Sequence, residues 1–170
     1  MRGSLDDAPV RDDLALVFRR EYAHVVAVAA RVVGSRDAAE DVAQEVFLSF
    51  GRSSVPGAQA RGWLSVAAAH TALNHLRSGR RRASYEAAVP PDAHAPDVAD
   101  DVVTREERRR VRAALNGLPR TQAVALVLRH SGLSYAEVAA ALDLSPGSVG
   151  TTVRRAESAL RQELSHASPR

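Results

Sequence analysis

A chain of 170 residues holds one ordinary domain or two small ones, and its 45% apolar content is spread along the whole length. No apolar run approaches the ~20 residues that cross a bilayer, and the opening Met1-Arg2-Gly3-Ser4-Leu5-Asp6-Asp7 has no secretory apolar core. No membrane insertion and a cytoplasmic location are therefore expected, and the lack of cysteine excludes disulfide frameworks and thiolate metal sites.

All 23 basic residues are arginine, and their placement is more telling than the net charge of +3. Residues 1–82 carry 12 Arg against 9 acids, residues 83–104 no Arg and 5 acids, and residues 105–170 carry 11 Arg against 6 acids. Two basic blocks flanking an acidic one predict two anion-binding modules on a tether.

Taken in chain order, Leu14, Phe18, Tyr22, Val25, Ala29 and Val32 recur at three- and four-residue steps, which predicts an amphipathic helix over 12–33 that Gly34 stops. Ser35 caps a second helix over 36–51, with Ala39, Val42, Ala43, Val46, Phe47 and Phe50 on its apolar face. After the turn Ser53-Ser54-Val55-Pro56-Gly57, a third helix over 59–80 places Leu64, Ala68, Ala72 and Leu76 one turn apart. Three helices on short connections make a bundle. Pro90-Pro91, Pro96 and four aspartates give 83–104 the character of an extended linker. Helices resume over 104–117, 119–131, 135–142 and 146–164. The expected fold is all-α, with domains at 1–82 and 105–170.

Ser134-Tyr135-Ala136-Glu137 has the form of a capping box, and Val138 and Leu142 point inward. Asp143-Leu144 makes a turn in which Asp143 takes the left-handed position, and Ser145-Pro146 restarts the chain as cap and first helical residue. This is a helix-turn-helix. Its second helix, held by Val149 and Val153, leaves Gly147, Ser148, Thr151, Thr152 and Arg155 outward, where such helices meet base edges and phosphate. The bland reading, a packing hairpin, accounts less well for cap, turn and restart in sequence.

Two further faces stand out. On helix 36–51, Asp37, Glu40, Asp41, Gln44 and Glu45 gather within about 140° opposite the apolar side. Taken alone, that stripe reads as solvated surface. On the third helix Trp63, Ala67, His70, Asn74 and Arg77 share one side and lead into Arg80-Arg81-Arg82. An aromatic surface, polar side chains and clustered cations suit an unpaired nucleic-acid strand. Alternatively, Trp63 is core and the arginines are a solvated helix end.

Several ordered segments resemble the σ factors of the extracytoplasmic-function (ECF) type in the σ70 family. Asp37-Ala38-Ala39-Glu40-Asp41-Val42-Ala43-Gln44-Glu45-Val46-Phe47 is similar to "DAEDLVQEVF" of region 2, and Arg61-Gly62-Trp63-Leu64 through Asn74-His75-Leu76-Arg77 to the "RAWL…NxxxDxxR" that follows. Leu118-Pro119, Leu133 to Ala139 and Ser145-Pro146-Gly147-Ser148-Val149 resemble region 4. The resemblance implies that Asp37, Glu40, Asp41, Gln44 and Glu45 dock on the clamp helices of the largest subunit of core RNA polymerase, with the C-terminal domain at its flap. It implies that Trp63, His70, Asn74, Arg77, Arg80 and Arg81 hold the −10 single strand. Ser134, Ser145, Gly147, Ser148, Thr151, Thr152, Arg154 and Arg155 would read the −35 duplex of promoter DNA. The linker would thread toward the RNA exit path, and an anti-σ factor would hold activity in check.

The sequence departs from the family pattern where Asn and Asp are replaced by His70 and Asn74, and where the frequent "GTVKSRL" is replaced by Gly147-Ser148-Val149-Gly150-Thr151-Thr152-Val153. Asn74 donates as well as accepts, which alters base preference, and missing cations at Gly150 and Thr152 predict a shallower salt dependence. A helical adaptor or anti-activator that opens no promoter, and a plain helix-turn-helix repressor, stand as alternatives. No enzyme is expected: His24, His70, His75, His94, His130 and His166 form no HExxH pair, and there is no phosphate-cradling glycine loop. No cofactor, metal or catalytic residue is expected.

Overall fold

The computed structural model describes residues 11–85 and 100–166, with the backbone alone for 80–85 and 100–104. Regular structure among them is entirely helical: α1 (Leu14–Val33), α2 (Arg36–Gly51), a 3-10 turn (Gly57–Gln59), α3 (Ala60–Tyr85), α4 (Asp100–Gly117), α5 (Arg120–His130), α6 (Tyr135–Leu142) and α7 (Pro146–His166).

The α1–α2 corner is set by local chemistry. Gly34 adopts φ 80°, and its N–H donates to the Ala30 carbonyl at 2.9 Å. A β-carbon at Gly34 would meet only the movable Arg112 guanidinium, so it is the left-handed conformation that calls for glycine. Ser35 then caps α2, its hydroxyl accepting from the Ala38 N–H at 3.3 Å.

The front core is built from Val25, Val28 and Val32 of α1, Val42, Val46 and Phe50 of α2, and Leu64 and Leu73 of α3, none more than 1% exposed. Each such side chain contributes about 1.5–3 kcal/mol by leaving water. Val124 and Leu128 of α5, Val138 of α6 and Val149 and Val153 of α7 form the corresponding core of the rear domain.

Two expectations need correction. The inward face of α1 is rotated: Val17 and Val28 are buried and Glu21 is only 5% exposed, whereas Phe18 is 41% exposed. Glu21 tolerates burial because Arg61 donates to its carboxylate at 3.0 Å. Phe18 instead stacks on the rim, 4.9 Å from Phe47 in an edge-on arrangement. The helices on either side of the linker also run a few residues further than the expected 59–80 and 104–117. Ala83-Ser84-Tyr85 contains no helix breaker, so α3 runs on to Tyr85. Helix α4 starts at Asp100. The proline-bearing stretch 86–99 lies outside the described residues.

The two bundles also pack directly on each other, a contact that a tethered arrangement does not anticipate. α3 meets α5 and α6, and α1 touches α5. Ala141 of α6 stands beside Gly62 of α3.

Candidate partner and nucleic-acid interfaces

The acidic face of α2 is where the periodicity puts it. Asp37, Asp41, Gln44 and Glu45 are exposed and Glu40 is half-buried, while Val42, Val46 and Phe50 fix the opposite side in the core. Arg36 donates to Glu40 at 2.8 Å one turn away, and His75 of α3 lies 3.1 Å from Glu45. Asp37 adds negative charge in the first turn of α2. Beside this face runs a groove between α1 and α2 lined by Leu14, Phe18, Gln44, Phe47 and Leu48. Leu48 is 65% exposed, and it sits one turn beyond Gln44. The apolar flank was missed by reasoning from the acidic residues alone. Its signal was the Gln44–Leu48 spacing of four, which puts both on one face.

On α3 the structure divides the expected set. Trp63 is half-buried and partly core, its ring 5.7 Å from that of Phe50. His70 and Arg77 are half-buried and Asn74 is exposed, all on the side facing the rear domain. Burial and, secondarily, the nearby Arg120 guanidinium push the His70 imidazole below its ordinary value. The Arg80 and Arg81 side chains lie outside the described residues. Two residues not anticipated as part of this surface are Arg120 and Asn116. Arg120 donates to the Asn74 side-chain oxygen at 2.6 Å and to the His70 carbonyl at 3.5 Å. Arg77 donates to the Asn116 side-chain oxygen at 3.0 Å.

The helix-turn-helix has the predicted local geometry. Ser134 Oγ accepts from the Glu137 N–H at 3.2 Å, and the Glu137 carboxylate accepts from the Ser134 N–H at 2.7 Å. These bonds hold the Glu137 carboxyl below its ordinary range. Asp143 takes φ 53°, ψ 45°, and the Leu144 N–H donates to the Ala139 carbonyl at 2.9 Å, closing α6. Ser145 Oγ accepts from the Ser148 N–H at 3.3 Å at the start of α7. Gly147, Ser148, Thr151, Arg154 and Arg155 are exposed. Thr152 is half-buried and donates its hydroxyl to the Ser148 carbonyl at 2.8 Å, so it faces outward less than its neighbours. Val149 and Val153 seat the helix.

Among the described residues no group of His, Asp and Glu is arranged to hold a metal, and no helix is long and apolar enough to cross a membrane.

One helical bundle thus carries an exposed acidic face on α2, and the other carries a helix-turn-helix with the outer side of α7 exposed. Family descriptions agree: "Sigma-70 region 2" matches residues 17–82 and "Sigma-70, region 4" matches residues 108–160. The chain is 30% identical over 162 residues to the ECF RNA polymerase sigma factor SigK of Mycobacterium ulcerans, covering 91% of this chain and 87% of that one. It is 34% identical over 155 residues to the RNA polymerase sigma factor CarQ of Myxococcus xanthus, covering 87% of each. Among solved structures, CnrH in complex with the cytosolic domain of CnrY aligns with a TM-score of 0.59 at 21% identity, over 91% of this chain and 89% of that one. The sigma factor RpoE of Bartonella quintana, solved with the anti-sigma factor NepR, aligns at 0.51 and 22%, over 93% and 100%. These two establish likeness of fold. The chain belongs to the ECF sigma factors of the sigma-70 family, and it is a transcription initiation factor. An adaptor or a simple repressor would not require regions 2 and 4 in this order.

Proposed function

We propose that the chain delivers core RNA polymerase to promoters by dividing recognition among three faces. The exposed carboxylates of α2, Asp37, Asp41 and Glu45, with Glu40 and Gln44, bind the clamp helices of the largest subunit, and Leu48 adds an apolar contact at the edge. The outer side of α7 enters the major groove of the −35 element, where Gly147 at its start lets the backbone approach phosphate closely and Arg154 and Arg155 supply cations. The side of α3 bearing His70, Asn74 and Arg77 takes unpaired bases of the −10 strand, with the Arg80 and Arg81 positions following along the phosphates.

No bond of the DNA is broken by the chain. Strand separation follows from tighter binding to the open form: unstacking a base costs a few kcal/mol, offset by stacking and polar contacts. Asn74 offers an amide donor and acceptor where an aspartate only accepts, so it discriminates a different base edge. RpoE of Bartonella quintana is bound to the anti-sigma factor NepR. A protein of that class is proposed as the negative regulator here, and the flap of core polymerase as the seat of the rear domain.

The observation that supports this most is the segregation of α2 into a buried apolar side and an exposed acidic side within a region 2 match. The test is transcription from fragmented genomic DNA of the source organism by core enzyme with and without the chain, followed by sequencing of transcript 5′ ends. New start sites sharing two upstream elements are expected. Starts identical to those of core alone would refute the proposal.

A further inference from the structure

We infer that Arg120 and Asn116 of the rear domain form a latch on the strand-facing side of α3, so that the free chain is closed and opens when a phosphate-bearing strand replaces the latch. The occlusion part of this rests on the assignment of α3 above; the latch itself rests on geometry alone.

Three contacts cross from one domain to the other on a single side of α3. Arg120 donates to Asn74 Oδ1 at 2.6 Å, a second nitrogen of Arg120 reaches the His70 carbonyl at 3.5 Å, and Arg77 donates to Asn116 Oδ1 at 3.0 Å. The partners are separated by 46, 50 and 39 residues in sequence, so none is a local helix contact. They bracket the polar positions at which a single strand is expected to bind. Apolar packing of α5 and α6 on α3, with Ala141 beside Gly62, supplies the surface they pin.

The chemistry makes the latch releasable. Both guanidinium groups face neutral amide oxygens, and a hydrogen bond from arginine to a neutral amide is weaker than one to an anion. Arg77 and Arg120 also lie close enough to repel: burial first, and then the charge of Arg77, pulls the Arg120 guanidinium below its ordinary value. A phosphate arriving there relieves that repulsion and offers both arginines a better acceptor. An aspartate at position 74, the residue the family pattern carries, would instead make a charge-assisted pair with Arg120 and hold the domains shut. Asn74 is thus suited both to closing and to letting go.

Because the sequence contains no cysteine, Asp12→Cys and Gln162→Cys give two unique, exposed dye positions in the full chain for single-molecule energy transfer. Arg120→Ala is expected to shift the ratio of closed to open molecules about five- to tenfold toward open, the scale of one ordinary hydrogen bond lost at an exposed site. Asn116→Ala, which removes no charge, shifts it the same way by less. Asn74→Asp shifts it toward closed, and Asn74→Asp combined with Arg120→Ala behaves like Arg120→Ala alone. Unchanged populations in both Arg120→Ala and Asn116→Ala overturn the latch. Binding of a fluorescein-labelled mixed-sequence single-stranded DNA 12-mer, without polymerase, provides the second readout. It tightens in Asn116→Ala if opening exposes the strand-binding side. Opening without any gain in strand affinity leaves the latch standing and refutes the assignment of α3. A gain in affinity without opening refutes the latch.

Discussion

Arg61, on the exposed side of α3, holds the carboxylate of Glu21 at 3.0 Å inside the α1–α3 contact. The same guanidinium reaches His24 Nδ1 at 3.5 Å, and His24 Nε2 lies 2.9 Å from Ser65 Oγ, which itself donates to the Arg61 carbonyl at 2.6 Å. With Ser65 donating away, its oxygen accepts from His24 Nε2–H, and Nδ1 is the acceptor that faces Arg61. The imidazole is therefore neutral in this network.

Arg61→Ala leaves Glu21, 5% exposed, with only the longer 3.7 Å contact to the Arg20 guanidinium. The expected loss is about 2 kcal/mol, below the 3–5 kcal/mol of a fully buried pair because Arg61 is itself half-exposed. Urea unfolding monitored by circular dichroism reads it, and Arg61→Ala with Glu21→Gln should recover part of the loss.

Stability should fall on mild acidification. Burial first and Arg61 second lower the His24 imidazole, and burial followed by Arg120 lowers His70. Both imidazoles hold a proton less readily in the fold than in the unfolded chain, so as pH falls through about 6.5 the unfolded chain binds more protons and stability declines. Thermal midpoints between pH 7.5 and 5 measure this. In His24→Gln, which keeps a donor toward Ser65, the decline should be shallower.

The capping box also weakens on acidification, but in the carboxylate range and because its folded form needs a charged group. Glu137→Ala should cost about 1 kcal/mol at neutral pH by releasing the Ser134 N–H. The Glu137 carboxyl is lowered mainly by that backbone bond, so its contribution is present above the ordinary carboxylate range and disappears as pH falls through its folded value. The wild-type and Glu137→Ala midpoints should therefore converge at low pH.

On α7, Arg154 and Arg155 are exposed and the neighbouring Gly150 and Thr152 carry no charge. Arg155→Ala should weaken duplex binding by a similar factor on all sequences and reduce the slope of log affinity against log salt by about one. Anisotropy titrations of the full chain at several salt concentrations check it. Ser148→Ala, if Ser148 meets a base edge, should instead change relative affinities among promoter variants.

What the sequence revealed was what is decided within a few residues. Ser134, Glu137 and Asp143 could be assigned their cap and turn roles because each interacts with backbone three or four residues away. The acidic side of α2 was legible because the buried residues of that helix are strictly periodic. Phe18 was misplaced because Glu21, the residue that takes its place inside, is neutralised by Arg61 forty residues later. The Arg120–Asn74 bond was invisible for the same reason: its partners belong to different domains, and no local pattern announces it. Helix α3 runs past the composition shift at residue 83 because Ala83-Ser84-Tyr85 holds no proline or glycine.

The exposed carboxylates of α2 carry the proposed contact with core polymerase. Binding of dye-labelled Asp41→Lys/Glu45→Lys chain to core RNA polymerase, compared with wild type by fluorescence anisotropy, addresses them directly. Both side chains are exposed, so the fold should survive, while like charge against a basic docking surface should weaken association by at least about tenfold. An unchanged affinity for core enzyme would contradict the assignment of this face.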